Sequence, residues 1–325
     1  MKKIYNNFEK KLTSINIGKN IAVGVSGGPD SLALSYLLKC FSLKNKHNIF
    51  YYIVDHKLRH ESTNETKFIK NKLKNYDINV KILSWIGKKP KSNIQSIARK
   101  KRYNLILKEC LKNNVENFLT AHHQDDLYEN FFLRILRGSG LKGFVSFNST
   151  RNFFPSYNCQ IIRPLLNTNK KELIYISKIV YGFYITDPSN LSDDFKRIRI
   201  RKLIDKFKNE GLDFGKLKLT INNLSDSNRT INFYVNKNIS DNSKVVKNSS
   251  CILSKNFFNQ PDEIVFRSFS KILKEIGKKY YAPRGKSTLR AIHQIQQKNI
   301  KKITLSGCVI QKLSNSVIIS SEFAK

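Results

Sequence analysis

The segment Ser26-Gly27-Gly28-Pro29-Asp30-Ser31 holds residue types that packing alone does not explain. Two adjacent glycines let a backbone turn sharply and come close to a ligand. A helix opening at Asp30-Ser31 would aim unpaired N–H groups and the positive end of its dipole at the same spot, which suits phosphate. Ser26 and Ser31 add hydroxyls. Asp30 is out of place in an anion cradle unless it faces a metal ion or the substrate. The segment lacks the Lys-Ser/Thr ending of a Walker-type loop, and it is not the GxGxxG turn of dinucleotide sites.

A second cluster follows at 121–130, AHHQDDLYEN. Asp125, Asp126 and Glu129 fall within about one helical turn, so at least two carboxylates point the same way. Like charges this close are costly without a cation between them. They could simply cap a helix; beside a phosphate cradle they fit Mg²⁺ or an amine substrate better. His122 and His123 are adjacent on a strand and therefore face opposite ways. That argues against a zinc pair and for one histidine near the ligand with the other packed inside. Asp55-His56-Lys57-Leu58-Arg59 is either a solvated loop or a contact to nucleotide or RNA. Arg99 and Arg102 share a helix face, as a phosphate clamp or a basic surface. In 196–206, Ile198, Ile200 and Ile204 anchor one face while Arg197, Arg199 and Arg201 project outward, a pattern suited to gripping a phosphate backbone.

These clusters need elements to position them. Strands are predicted at 21–25, 49–54, 80–85, 118–121 and 161–166. Helices are predicted at 4–17, from 30 towards Cys40, and at 61–75, 92–113, 127–136 and 169–181. The alternation predicts an α/β fold, a doubly wound, mostly parallel, Rossmann-like sheet. Such sheets bind ligands at the carboxyl ends of their strands, where the clusters after Val25, Val54 and Ala121 all sit. Residues 1–206 form the expected catalytic domain. Residues 207–260 read as a linker or helical region, loosely packed over the Asn- and Ser-rich stretch 222–249. Residues 261–325 read as a smaller α+β C-terminal domain, with helices at 261–276 and 286–298 and strands at 303–305, 309–313 and 317–320.

Composition narrows the partners. Fifty-nine Lys and Arg against 24 Asp and Glu give the 325-residue chain a net charge of +35. So large an excess favours a polyanion, nucleic acid rather than a membrane surface. No apolar run approaches a spanning helix and the N-terminus lacks an apolar signal core, so a cytoplasmic location is expected. Cys40, Cys110, Cys159, Cys251 and Cys308 are scattered and form no CxxC pair. This speaks against structural zinc, an iron–sulfur cluster or a disulfide framework.

SGGPDS (26–31) resembles the signature of the PP-loop ATP pyrophosphatase family, whose members split ATP between its α and β phosphates and adenylate a substrate oxygen. VDHKLR (54–59), ARKKRY (98–103), TAHHQDD (120–126), LRILRGSG (133–140), RPLL (163–166), DPSN (187–190) and RIRIR (197–201) follow in this order. Together they are similar to the tRNA(Ile)-lysidine synthase branch over most of 20–205, and TLSGCVI (304–310) is similar to the end of some members. The resemblance implies that ATP, with Mg²⁺, adenylates the C2 oxygen of the wobble cytidine in a CAU-anticodon tRNA(Ile). The ε-amine of free L-lysine then displaces AMP. It implies that Ser26, Gly27, Gly28 and Ser31 hold the pyrophosphate end, with Asp55 also on the nucleotide. Asp30 would serve Mg²⁺, with Asp126, or the incoming lysine. Asp126 and Glu129 would bind and deprotonate that lysine, His122 would place the adenylate, and Arg99 or Arg102 would stabilise phosphate charge. Arg197, Arg199, Arg201 and the C-terminal domain would hold the tRNA. A homodimer is compatible with this scheme. The chain departs from the branch at Leu127, where Gln is common, at Asn130 for Thr and at Ile198 for Asn, which puts polar roles there in doubt. The rival within the superfamily is an ATP-dependent tRNA thiolase; such enzymes often use paired cysteines, which the scattered cysteines here do not supply. An RNA-binding protein with an inactive nucleotide fold is opposed by the intact 26–31 segment together with Asp126 and Glu129.

Overall fold

The computed structural model describes residues 1–15, 17–88, 90, 92–147, 151–154, 157–186, 196–247, 249–279, 282–297 and 302–322. The DPSN segment at 187–190 lies outside them. The chain forms two compact units, Met1–Ile221 and Asn222–Lys325.

The first unit is built on a six-stranded sheet of β1 (Asn20–Val25), β2 (Asn48–Asp55), β3 (Val80–Ser84), β4 (Asn117–Leu119), β5 (Arg151–Phe154) and β6 (Cys159–Ile162). The order is β3-β2-β1-β4-β6-β5, parallel throughout except where β5 runs antiparallel to β6 at the edge. Strand β5 was not anticipated. The predicted strand at 161–166 stops at Ile162, because Pro164 has no N–H to donate and the chain turns there.

Alternation along β1 fills both faces. Ile21, Val23 and Val25 meet α1 (Lys2–Thr13), α2 (Pro29–Asn45), α3 (Ser62–Lys74) and α7 (Lys170–Tyr181) through Leu12, Leu34, Leu38, Ile69 and Ile176. Ala22 points the other way, with Tyr52 and Phe118, onto α4 (Ile94–Lys112) at Ile106 and Cys110. A sheet covered on both faces is the doubly wound arrangement, and its near-continuous apolar strands follow from it.

The strand order decides where a ligand goes. From β1 the chain winds outward through β2 to β3, then returns to place β4 on the opposite side of β1. The register pairs Ile21 with Asn117 and Val23 with Leu119. Continued upward, it brings the loop after Val25 level with the residues after Thr120. This reversal is where open α/β sheets bind ligands. Two further helices, α5 (Gln124–Ile135) and α8 (Lys196–Asn209), pack together beside it, with Phe132 stacked on Phe207 at 5.5 Å. A short α6 (Leu141–Val145) follows α5.

The second unit takes up the long α9 (Phe214–Asn242), which starts in the first. It adds β7 (Ser243–Lys247), β8 (Ser250–Ser254), α10 (Asp262–Ile276), α11 (Gly285–Gln296), β9 (Lys302–Leu305), β10 (Cys308–Lys312) and β11 (Ser316–Ser321). The strands form an antiparallel sheet ordered β7-β8-β11-β10-β9. The helices and strands predicted beyond 261 are present, around a core of Leu253, Phe257, Phe269, Leu273, Cys308 and Ile319. The stretch 222–249, expected to be loose, is mostly helix. Buried Asn238 donates to the Phe257 carbonyl at 3.2 Å and to Ser268 Oγ at 3.3 Å. A helix pinned by buried amides shows little apolar periodicity.

Candidate active site

The loop between β1 and α2 is a self-contained knot. Ser31 Oγ accepts from Ser26 N at 3.0 Å and from Ser26 Oγ at 3.1 Å, and donates to the Gly28 carbonyl at 3.0 Å. Gly27 takes a φ of +78°, and Ile185 N donates to its carbonyl at 2.9 Å. Ser31 is therefore buried and shapes the loop; Ser26 is the exposed hydroxyl. The first N–H groups of α2, left over at any helix start, face the sheet's carboxyl edge. One oxygen of Asp30, Oδ1, is buried without a hydrogen-bond partner.

His123 joins this loop to α5. It caps the helix: its Nδ1 accepts from Asp125 N at 3.2 Å, while its own N–H donates to Asp126 Oδ2 at 3.1 Å. With Nδ1 accepting, the ring proton sits on Nε2. That nitrogen lies 3.5 Å from Asp30 Oδ2 and 3.6 Å from Asp126 Oδ2, long for hydrogen bonds but close for charge. Burial disfavours the His123 cation, yet Asp30, Asp126 and Asp125 together outweigh it and raise the imidazole above its ordinary value.

His122 has a different set of neighbours, although both histidines lie past the strand, which ends at Leu119 rather than at 121. Its Nε2 is 3.2 Å from Arg99 Nη2, which also donates to Tyr103 Oη at 3.2 Å. Its Nδ1 is 2.9 Å from Thr120 Oγ1. Burial, followed by the charges of Arg99, Arg163, Arg197 and Arg102, drives its pKa well below the ordinary value. His122 is neutral amid a nest of guanidiniums. Arg163, buried and lying 4.9 Å from the Phe147 ring centre, was missed at the sequence level. The available signal was a single arginine closing a buried strand before a proline.

Three residues sit otherwise than expected. Glu129 and Arg201 form a bidentate pair, Nε to Oε1 and Nη2 to Oε2 at 3.4 Å. Arg201 thus turns inward: in the helical repeat it lies one turn before buried Ile204, on the side that meets α5. Burial raises the Glu129 carboxyl above its ordinary value and Asp126 adds to this; Arg201, which pairs with it, opposes the rise without cancelling it. Arg197 and Arg199 remain exposed. Asp55, 1% exposed, accepts from Lys57 N at 3.0 Å, Ser62 Oγ at 2.9 Å and Thr63 Oγ1 at 2.7 Å. Its carboxylate is spent on folding the 55–63 loop. Leu127 and Ile198 are buried, consistent with apolar roles at two of the departures.

The fit to magnesium rests on Asp30. Among the described residues no three metal-capable side chains gather, but Mg²⁺ commonly takes one or two carboxylates and completes its shell with phosphate oxygens and water. The orphaned Asp30 Oδ1, with Asp126 nearby through His123, matches that habit.

Comparison with known proteins identifies the family. The PP-loop domain profile matches residues 1–207. The tRNA(Ile)-lysidine synthase of Orientia tsutsugamushi (strain Boryong) is 33% identical over 318 residues, spanning 94% of this chain and 70% of that protein. That of Rickettsia felis is 34% identical over 336 residues, spanning 99% and 75%. Among solved structures, a U34-tRNA thiolase from Methanococcus maripaludis with its [4Fe-4S] cluster superposes with a TM-score of 0.58 at 18% identity, covering 70% of this chain and 78% of that one, a likeness of fold. With the loop, the sheet order and the relatives in agreement, this chain belongs to the tRNA(Ile)-lysidine synthase family of PP-loop proteins.

Proposed function

We propose that the chain ligates L-lysine to C2 of the wobble cytidine of a CAU-anticodon tRNA(Ile), consuming ATP and releasing pyrophosphate and AMP. The observation that carries this reading is the Asp30–His123–Asp126 link: it sets anionic groups for an amine directly against the phosphate loop, with the arginine nest around His122 on the other side. The cytidine O2 attacks the α-phosphorus as its bond to the bridging oxygen breaks, and pyrophosphate leaves towards Ser26 and the α2 N-terminus. The lysine Nε then attacks C2, the C2–O2 bond breaks, and O2 departs with AMP. An ε-amine with an ordinary pKa of about 10.4 must shed a proton first; Asp126, its side chain 17% exposed, would orient it and accept that proton. Glu129 acts through Arg201, holding α8 against α5, rather than as the base. Magnesium at Asp30, shared by Asp126, would screen phosphate charge. Arg99 and Arg102 would counter charge on the departing groups.

The C-terminal unit is proposed to hold tRNA. No carboxylate occurs between Glu275 and Glu322, whereas Lys278, Lys279, Arg284, Lys286, Arg290 and Lys302 all lie there and are exposed. The cysteines of the first unit give a thiolase reading no support: Cys110 and Cys159, though side by side, are buried in the core that α4 covers. Among the described residues no helix is long and apolar enough to cross a membrane.

The test is incubation with ATP, radiolabelled lysine and CAU-anticodon tRNA. Lysine incorporation that needs both ATP and tRNA is expected; ATP–pyrophosphate exchange with no incorporation contradicts the proposal. Asp30→Ala should abolish turnover and leave tRNA affinity nearly intact.

A further inference from the structure

Thr120 is the last residue before the paired histidines, and its side chain is 8% exposed. Its Oγ1 lies 2.9 Å from His122 Nδ1 and 3.5 Å from the Ile162 carbonyl on the neighbouring strand. The Ile162 carbonyl can only accept and so offers the hydroxyl proton a place, whereas the hydroxyl itself can donate or accept. Thr120 N also donates to that carbonyl, at 3.0 Å, which fixes the backbone and hence the hydroxyl. At the other end of the ring, Arg99 can only donate, so Nε2 must be a lone pair. The Arg99 end therefore sets the tautomer, neutral with its proton on Nδ1, and Thr120 Oγ1 at 2.9 Å is the acceptor that meets that proton while its own proton turns to the Ile162 carbonyl.

We infer that Thr120 is a positioning residue: through His122 it presents the Nε2 lone pair that anchors the Arg99 guanidinium for its role on phosphate. The need for such an anchor comes from the surroundings. The charged groups bearing on His122 are Arg99, Arg163, Arg197 and Arg102, all cations, so Arg99 is repelled by its neighbours. A neutral imidazole acceptor holds it without cancelling the charge that an anion would meet. Tyr103 Oη supplies the second hold, and the Phe147 ring, edge-on to His122 at 5.2 Å, keeps the imidazole from swinging. Without the Thr120 hydroxyl, either Nδ1–H is buried with no acceptor or the proton moves to Nε2 and confronts Arg99.

The inference rests on the proposed lysine ligation for its kinetic arm only. Thr120→Val keeps the β-branched shape and removes the hydroxyl; Thr120→Ser keeps the hydroxyl. In the valine variant kcat should fall about tenfold or more, the scale of one lost positioned hydrogen bond, with the KM for ATP little changed, and serine should restore it. The structural arm uses the full chain with ¹⁵N-histidine and long-range ¹H–¹⁵N correlation; the protein has six histidines, and His122→Asn assigns the signal. The Nδ1–H signature should be present in the wild type and in Thr120→Ser, and lost or mixed in Thr120→Val. An Nε2–H signature in the wild type, or an unaltered signature and unaltered kcat in Thr120→Val, overturns the inference. A wild type inert towards lysine and tRNA that still shows the tautomer change would overturn the proposed activity and support the role of Thr120.

Discussion

At the scale of single residues, the site is surrounded by ionisable groups committed to one protonation state. Burial, reinforced by the Arg102 charge and opposed by Asp55, holds the His56 imidazole at about 4. In the unfolded chain it titrates near ~6.5. Between those values the folded protein binds fewer protons than the unfolded one, so stability rises with pH across that window. His56 therefore stabilises fully above about pH 6.5, and the contribution is lost as pH falls through about 4. Urea midpoints measured over this range should fall less steeply in His56→Gln than in the wild type; parallel curves would mean that the imidazole titrates alike in both states. The Glu129–Arg201 pair makes a different kind of prediction. Arg201→Ala strands a carboxylate whose side chain is 5% exposed. Because Arg201 is itself partly exposed, the loss should be about 2–4 kcal/mol, towards the low end of what breaking a buried pair costs. Adding Glu129→Gln to Arg201→Ala should recover part of it in denaturant titrations. A double variant no more stable than Arg201→Ala would remove the pair from the account of how α8 is held.

At the scale of elements, the strand–turn–helix at 20–45 depends on Gly27. With φ at +78°, an added Cβ would lie 2.4 Å from Ile69 Cδ1 and 2.9 Å from its Cγ1. Gly27→Ala combines backbone strain with a clash into α3 and should cost about 1–3 kcal/mol. Ile69→Val in the same chain removes the nearer contact and should return some of it in thermal melts; a neutral Gly27→Ala would show that the left-handed turn is dispensable. This element was legible in the sequence, because glycines, a buried strand and a helix start each leave a local mark. The separate surroundings of His122 and His123 were expected too, but from a strand that in fact ends earlier, at Leu119; what parts them is that His123 caps α5. The fate of Arg201 was not legible. Residues 196–206 alternate isoleucine with arginine, which reads as a two-residue repeat with every arginine outside. The segment folds as a helix, so Arg201 meets Glu129 on a helix 72 residues earlier, and no local pattern encodes that meeting. Asp55 was misplaced for a related reason: a carboxylate at a strand end looks available for ligand until the hydroxyls of Ser62 and Thr63 close over it. Asn238 and its amide bonds show the same limit in α9.

At the scale of the whole molecule, the +35 charge must be matched by a partner, and where the charge lies decides how. Arg201 is occupied, and Arg99, Arg102 and Arg163 surround His122. Arg199 on α8, and Lys286 and Arg290 one turn apart on α11 in the stretch free of carboxylates, are exposed, and they are proposed to meet an RNA backbone. Binding through phosphates releases counterions, so log Kd for tRNA should vary linearly with log salt. Each phosphate contact removed should lower that slope by about 0.7–0.9. Lys286→Ala with Arg290→Ala should therefore flatten the line by nearly twice as much as Arg199→Ala, and both should leave ATP affinity unchanged. Filter binding of CAU-anticodon tRNA between 50 and 200 mM salt (roughly the range over which such slopes are resolved) reads this directly. If the α11 variant keeps the wild-type slope while Arg199→Ala reduces it, the tRNA is held by the first unit alone, and the cations of 276–321 are surface charge with no RNA against them.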